Sequence, residues 1–237
     1  MKASVNKKNN TVEYGLELNN DDFLEVEIDI DFDFETRYIK PPKTKEISEF
    51  NLKYSEAKKL AQNIKLNKKS RYFVLINGSF IFGDFIEALI LSNKLTVEEL
   101  TISTLSLSEN NVDSLNGLMN EKCVNKLNLI ISDYFYSHER FNLTPYIYKM
   151  LDIGNRFQLA VAGTHTKICL IKTYCGKKII IHGSANLRSS SNIEQIVVEE
   201  NESLWDFNND YMNKIIDKYK TINKGVRGKK LWAAINK

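Results

Sequence analysis

Apolar and polar residues follow a regular alternation of two element types between residues 71 and 164. Short apolar runs, typical of buried strands, are separated by stretches in which apolar residues recur with the period of a helix. The predicted strands are 72–76, 100–103, 127–131 and 157–161. The predicted helices are 84–92, 111–122 and 144–153. This order predicts an α/β fold, in which a mixed β-sheet is flanked by helices on both faces.

After Thr164 the alternation stops and a hairpin is predicted. Strands 167–173 and 177–182 face each other across a turn, and a further strand at 193–199 precedes a helix at 204–222. A two-residue loop of Cys175 and Gly176 would place Lys167 opposite Ser184 and His165 opposite Asn186. Because side chains alternate between the faces of a strand, these four would then share one face.

The residues before Arg71 follow a different pattern. Acidic and apolar residues alternate over 22–34, which predicts a half-exposed strand, and Pro41 and Pro42 mark a linker. A helix is predicted over 55–64. We therefore divide the chain into an accessory region, 1–70, a main domain, 71–222, and a basic tail, 223–237.

Composition narrows the class of protein. No apolar stretch of the 237 residues approaches the roughly 18–20 needed to span a membrane, and no secretion signal is evident, so a cytoplasmic protein is expected. Three cysteines do not make a disulfide framework, and no Cys or His pair has the spacing of a zinc site. We expect no metal and no cofactor. The net charge of +3 does not diagnose a nucleic-acid-binding protein, although residues 214–237 are nearly all basic where charged.

The four polar groups predicted at the hairpin end suit phosphoryl transfer without a metal. A neutral imidazole at His165 can attack phosphorus, while Lys167, Ser184 and the amide of Asn186 stabilise charge on the phosphate oxygens. An imidazole is mostly neutral near pH 7. Gly183 would let the backbone approach a ligand closely.

These residues carry a resemblance to a known family. His165–Thr166–Lys167 and Gly183–Ser184–Ala185–Asn186 resemble the H-x-K and G-S-x-N motifs of the phospholipase D superfamily, and Asn192 with Glu194 resembles its downstream Asn-x-Glu. The resemblance covers about residues 71–222. It implies a phospholipase D-like fold, with His165, Lys167, Asn186 and Glu194 as catalytic residues and Gly183, Ser184 and Asn192 as substrate-binding residues. One departure is that Lys172 stands where the family often has an Asp, which puts retained activity in doubt.

Most of the other candidate polar and aromatic residues have two interpretations. His138 is either a residue of the active-site rim or a histidine whose hydrogen bonds are made within its own loop. His182 is interpreted as structural. Asp84 and Asp133 line the cleft or form caps and turns. The aromatic residues within 134–141 stack on bases or pack in the core. The tail contacts phosphates or is solvated; its candidate residues are Lys224, Arg227, Lys229, Lys230 and Trp232.

Three functions remain open: a nuclease, a lipid phosphodiesterase or phosphatidyltransferase, and an inactive nucleic-acid-binding module. A lipid enzyme needs a way to reach a bilayer, for which the sequence offers no span and no strongly apolar amphipathic helix. The preferred hypothesis is a hydrolase, a metal-independent endonuclease with DNA expected before RNA, because small single-motif members of the superfamily are commonly nucleases. Since two-motif members supply a second H-x-K, a chain with one motif is expected to work as a homodimer.

Overall fold

The computed structural model describes backbone and side chains of residues 56–76, 80–188 and 192–220, and the backbone of strands at 4–5, 12–13 and 48–54. The predicted acidic strand 22–34 and the tail residues Lys224 and Arg227 lie outside these residues. The chain forms two compact units, residues 1–40 and 41–237. In the first unit, strand β1 (Ser4–Val5) pairs antiparallel with β2 (Val12–Glu13).

The second unit contains one large sheet and six helices within its described residues. The strands are β3 (Ser48–Tyr54), β4 (Ser70–Ile76), β5 (Val97–Thr104), β6 (Val124–Ser132), β7 (Phe157–Ala162), β8 (Ile168–Thr173), β9 (Lys178–Gly183) and β10 (Glu194–Glu200). The helices are α1 (Ala57–Asn63), α2 (Phe82–Ser92), α3 (Glu109–Asn120), α4 (Asp133–Glu139), α5 (Leu143–Leu151) and α6 (Glu202–Tyr219). The strands and helices predicted after residue 55 are present, with ends that differ by a few residues. Strand β3 and helix α4 were not predicted.

The sheet is mixed, and its strand order brings chemically important ends together. The order is β3-β4-β10-β9-β8-β5-β6-β7. β3 runs parallel to β4, and β5, β6 and β7 run parallel to one another, whereas the contacts of β8, β9 and β10 with their neighbours are antiparallel. One edge of the sheet therefore collects the carboxyl ends of β3 to β7 and of β9, with the amino ends of β8 and β10. We call it the His165 edge, because residues 163–167 connect β7 to β8 there.

Helices cover both faces of the sheet. Helices α1, α2, α3 and α5 enclose the larger core on one face, where Phe85, Leu89 and Ile147 are fully buried. Helix α6 covers the other face with Trp205 and Met212. Because both faces of the sheet are buried, the sequences of the central strands contain continuous runs of apolar residues. The predicted fold class, a mixed sheet flanked by helices on both faces, is confirmed. Within the described residues, no helix is both long and apolar enough to cross a membrane.

The hairpin register differs from the prediction by one residue. Ile168 lies opposite His182, and Lys172 lies opposite Lys178. At the His165 edge the backbone N–H of Gly183 donates to the carbonyl of Lys167 at 3.3 Å, so Lys167 faces Gly183 and not Ser184. The predicted pairs Lys167 with Ser184 and His165 with Asn186 are therefore wrong.

The physical reason is a loop of three residues, 174–176, where two were assumed. The backbone N–H of Thr173 donates to the carbonyl of Lys177 at 3.0 Å, and the N–H of Lys177 donates to the Thr173 hydroxyl at 2.9 Å. Gly176 has φ +83°, a left-handed conformation that glycine adopts readily. Thr173, and not Tyr174, thus lies opposite Lys177 and closes the hairpin.

Candidate active site

The middle residue of the H-x-K motif anchors the loop that carries it. The Thr166 hydroxyl lies 2.8 Å from the hydroxyl of Ser103, at the end of β5, and 2.9 Å from that of Thr164. The Ser103 hydroxyl also reaches the Thr166 carbonyl, at 3.2 Å. From α6, Tyr211 approaches Thr166 as well; burial raises the pKa of Tyr211, and the contact with Thr166 opposes that effect. This network is not predicted from the sequence, in which its signal is the polar pair Ser103 and Thr104 at the end of β5.

His165 and Lys167 contact each other directly. The Lys167 ammonium lies 3.0 Å from Nδ1 of the exposed His165 imidazole and donates to the His165 carbonyl at 3.0 Å. Partial burial lowers the pKa of Lys167, and the charge of Glu194 acts in the opposite direction. Because an ammonium carries only donors, it donates to Nδ1, and the proton of the neutral imidazole then lies on Nε2.

Ser184 and Glu194 form a second pair at the same edge. The Ser184 hydroxyl donates to the carboxylate of Glu194 and accepts the backbone N–H of Gln195 at 3.0 Å. The two strands meet here because the Ser184 N–H donates to the Gln195 carbonyl at 2.9 Å. Glu194 is thus oriented by Ser184 while its charge acts on Lys167, which links the two pairs electrostatically.

Gly183 permits a close approach between strands. A Cβ at this position would collide with the carbonyl oxygen of Gln195 and would lie 2.9 Å from Cα of Ile196 on β10. The close approach that the structure describes is therefore to β10. Contact between this backbone and a ligand stays a prediction.

The loop after Gly183 folds back over the end of β5. The side-chain oxygen of Asn186 accepts the backbone N–H of Leu105 at 3.2 Å, and the N–H of Leu187 donates to the Thr104 hydroxyl at 3.3 Å. Burial of Ala185 and Leu187 in the larger core holds the loop in place. Asn186 therefore reaches the His165 edge because its loop leaves the strand, and not through the strand alternation expected from the sequence.

The structure places the predicted site residues as follows. His165, Lys167, Gly183, Ser184, Asn186 and Glu194 all lie at the His165 edge. Asn192 is exposed in the turn that leads into β10. The catalytic and binding roles assigned to these residues stay predictions.

Lys172, the departure from the family motif, lies away from this edge. It is the next-to-last residue of β8, near the hairpin turn, and its ammonium forms an ion pair with Glu98 at 2.9 Å. A carboxylate at this position would lie at the opposite end of the strand from His165. The substitution consequently leaves the groups of the His165 edge unchanged.

The two other histidines lie in different surroundings. His138, on α4, has its Nδ1 2.8 Å from the carbonyl of Tyr134 and 3.1 Å from the Ser137 hydroxyl. His182 lies on the α6 face of β9; burial lowers its pKa, Glu199 opposes this shift and Arg71 adds to it. The Glu199 carboxylate is itself bound by Arg71 at 3.0 Å.

The two candidate aspartates occupy different places. Asp133 begins α4, whose cap is Ser132, and its carboxylate would lie 3.6 Å from a Cβ on Gly163. Asp84 lines a cavity of about 690 Å³ between α1 and α2, with Glu87 and Phe80. Burial raises the pKa of Asp84, and Glu87 adds to the effect. Within the described ranges, no cluster of three or more His, Cys, Asp or Glu side chains could hold a metal ion.

Comparisons with known proteins found solved structures that are similar to part of the chain. No family model and no curated protein sequence matches it. Polyphosphate kinase from Porphyromonas gingivalis is 12% identical with a TM-score of 0.49, and the match covers 68% of this chain but only 29% of the kinase. Nuc from Salmonella typhimurium, described as a phospholipase D family member, is 14% identical with a TM-score of 0.43 over 55% of this chain and 86% of Nuc. Phosphatidylserine synthase from Haemophilus influenzae is 14% identical with a TM-score of 0.49 over 70% of this chain and 45% of the synthase.

Proposed function

We propose that this chain is a phosphodiesterase, and specifically a metal-independent nuclease in which His165 attacks phosphorus. The observation that supports it most directly is the contact between the His165 imidazole and the Lys167 ammonium at 3.0 Å, beside Ser184, Glu194 and Asn186. A nucleophile, a cation and amide and hydroxyl groups at one site are what phosphoryl transfer requires in the absence of a metal.

The resting contact also defines the first step. Attack through Nε2 requires that nitrogen to be free of its proton, whereas the Lys167 contact leaves the proton there. An anionic phosphate would draw the ammonium away from Nδ1, which then becomes free to carry the imidazole proton. Binding of the substrate phosphate thus prepares the nucleophile, and Lys167 moves from the imidazole to a phosphate oxygen.

The proposed reaction has two chemical steps. Nε2 forms a bond to phosphorus, the bond to the leaving alkoxide breaks, and a general acid protonates that oxygen. Water subsequently attacks phosphorus and gives one proton to the group that served as general acid, the P–N bond breaks, and both groups return to their starting states. Lys167 and the amide nitrogen of Asn186 stabilise the negative oxygens during both steps.

The general acid is proposed to be the His165 of a second copy. A two-fold interface presents the same patch twice, so two His165 edges would place two imidazoles around one phosphate. One attacks while the other, protonated, supplies the proton to the leaving oxygen. Ile193, which precedes Glu194 and is 78% exposed, offers apolar area to such an interface.

Mixed dimers test this arrangement. When wild-type chains are co-expressed with His165→Ala chains, every heterodimer should be inactive, because its pocket lacks one imidazole. Specific activity is then expected to fall as the square of the wild-type fraction, measured after purification of the mixture. A linear fall, or a monomeric mass by light scattering together with full activity, would contradict the shared pocket.

The proposed activity itself is tested with labelled single-stranded and double-stranded DNA and RNA in the presence of EDTA. Products are expected with at least one substrate, and His165→Ala should give none. Cleavage that EDTA abolishes and that magnesium or manganese restores would show that the histidine mechanism is wrong. If the wild-type chain and His165→Ala bind nucleic acid equally well and neither cleaves it, the chain is instead a nucleic-acid-binding module.

A further inference from the structure

The aromatic residues of α4 and the turn after it divide into two groups. Phe135 is buried and Tyr136 packs against the core. Tyr134 and Phe141 are each 68% exposed. The first pair accounts for the attachment of α4 to the sheet, and the exposed pair has no such part in the core.

Each exposed ring is held by a nitrogen-bearing partner. The ring of Tyr134 lies 4.4 Å from that of His138, and the guanidinium of Arg140 lies 4.6 Å above the ring of Phe141. The contact of His138 with the Tyr134 carbonyl fixes the first of these pairs. We call these four residues the aromatic surface. Its rings are oriented before any ligand arrives.

The aromatic surface adjoins the proposed active site. Helix α4 begins where β6 ends at the His165 edge, and Asp133 lies beside Gly163, two residues before His165. The Asp133 carboxylate accepts the backbone N–H of Tyr134 at 2.8 Å, which ties the first exposed ring to this position. A strand bound at His165 would therefore pass close to Tyr134.

We infer that the aromatic surface binds unpaired bases of a single-stranded nucleic acid. Exposed rings provide flat faces on which bases of any sequence can stack, and Arg adds a cation–π contact and charge for the backbone. Tyr134 and Phe141 are seven residues apart, or about 10 Å along a helical path, since the backbone of Arg140 is still helical. Bases in a duplex are stacked on one another and cannot reach such rings. The inference rests on the proposed nuclease function and narrows its substrate to single strands.

The experiment compares binding of three probes by fluorescence anisotropy. They are a short single-stranded oligonucleotide, the same sequence as a duplex, and an abasic strand that keeps the phosphates but lacks bases. The parent is the full-length His165→Ala chain, so that cleavage does not disturb the measurement. It should bind the single strand more tightly than the abasic strand, and the preference should hold for DNA or RNA.

Tyr134→Ala and Phe141→Ala are each expected to weaken binding of the single strand by about 5- to 100-fold, with little change for the abasic strand. Tyr174→Ala is the matched control, because Tyr174 is 62% exposed in the hairpin turn at the opposite edge of the sheet. It should bind all three probes as the parent does. Far-ultraviolet circular dichroism checks that the exposed substitutions leave the fold intact.

Equal affinity of the parent for the single strand and the abasic strand would overturn the inference, as would unchanged binding by both alanine variants. A variant that changes only the mass measured by light scattering would show that the surface contacts a second copy of the chain, which also overturns it. Hydrolysis of bis(p-nitrophenyl) phosphate by the wild-type chain tests the proposed function separately, since this small diester carries no bases.

Discussion

His165→Ala should lower the rate of phosphodiester cleavage by at least about a thousandfold, because it removes the imidazole that we propose as the nucleophile. With a suitably end-labelled substrate, the wild-type chain should also acquire acid-labile label, which marks a phosphohistidine. Turnover and label retention on the denatured protein are the two measurements.

His182→Gln is the matched control for this prediction. His182 lies on the α6 face of β9, beside Arg71 and Glu199, and takes no part in the proposed chemistry. It should keep both turnover and labelling, whereas His165→Ala should lose both. Label that persists in His165→Ala would point to a different nucleophile.

Gly183→Ala is expected to destabilise the fold by about 3 kcal/mol, through overpacking of a Cβ against the backbone of β10. The contact is with backbone atoms of Gln195 and Ile196, which cannot rotate away as a side chain would. Urea denaturation followed by circular dichroism measures the change in free energy of unfolding.

Gly117→Ala is expected to stabilise the fold, in contrast to Gly183→Ala. Gly117 lies within α3, and a Cβ there would have nothing within 4 Å. Alanine should raise the free energy of unfolding by about 0.5–1 kcal/mol, since glycine is the poorer helix former. If Gly183→Ala and Gly117→Ala unfold at the same urea concentration, the close approach of β9 and β10 is refuted.

The elements that the sequence predicted well are those in which neighbouring residues of one short segment carry the whole signal, a run or a period of buried apolar side chains. Strands such as β6 and β9 are apolar on both sides because helices cover both faces, so the run of apolar residues is itself the signal. The same holds for α2, whose buried Phe85, Leu89 and Ile90 recur at helical spacing. Sequence motifs also located His165, Lys167 and Glu194 at one edge of the sheet.

What the sequence could not predict depends on contacts between distant residues. The hairpin register follows from the hydrogen bond between the Thr173 hydroxyl and the N–H of Lys177 and from the conformation of Gly176. The order of polar and apolar residues does not reveal such a hydrogen bond within a turn. Helix α4 is only seven residues long, too short for a helical period to stand out. The anchoring of Thr166 by Ser103 joins residues 63 apart in the chain.

The place of β10 in the sheet has a consequence for the newly synthesised chain. β4 and β5 are separated by β10, β9 and β8, all of which leave the ribosome after them. Until β10 has emerged, β4 with β3 and the sheet built on β5 have no strand to join them, and β9 has a free edge. Pairing between strands so far apart in sequence is a slow event in folding. Because β10 begins with Glu194, the carboxylate that binds Ser184 arrives with the strand that closes the sheet. A ribosome-bound chain therefore carries His165 before the His165 edge is assembled, and the hydrolytic activity that we propose would begin only with the completed sheet.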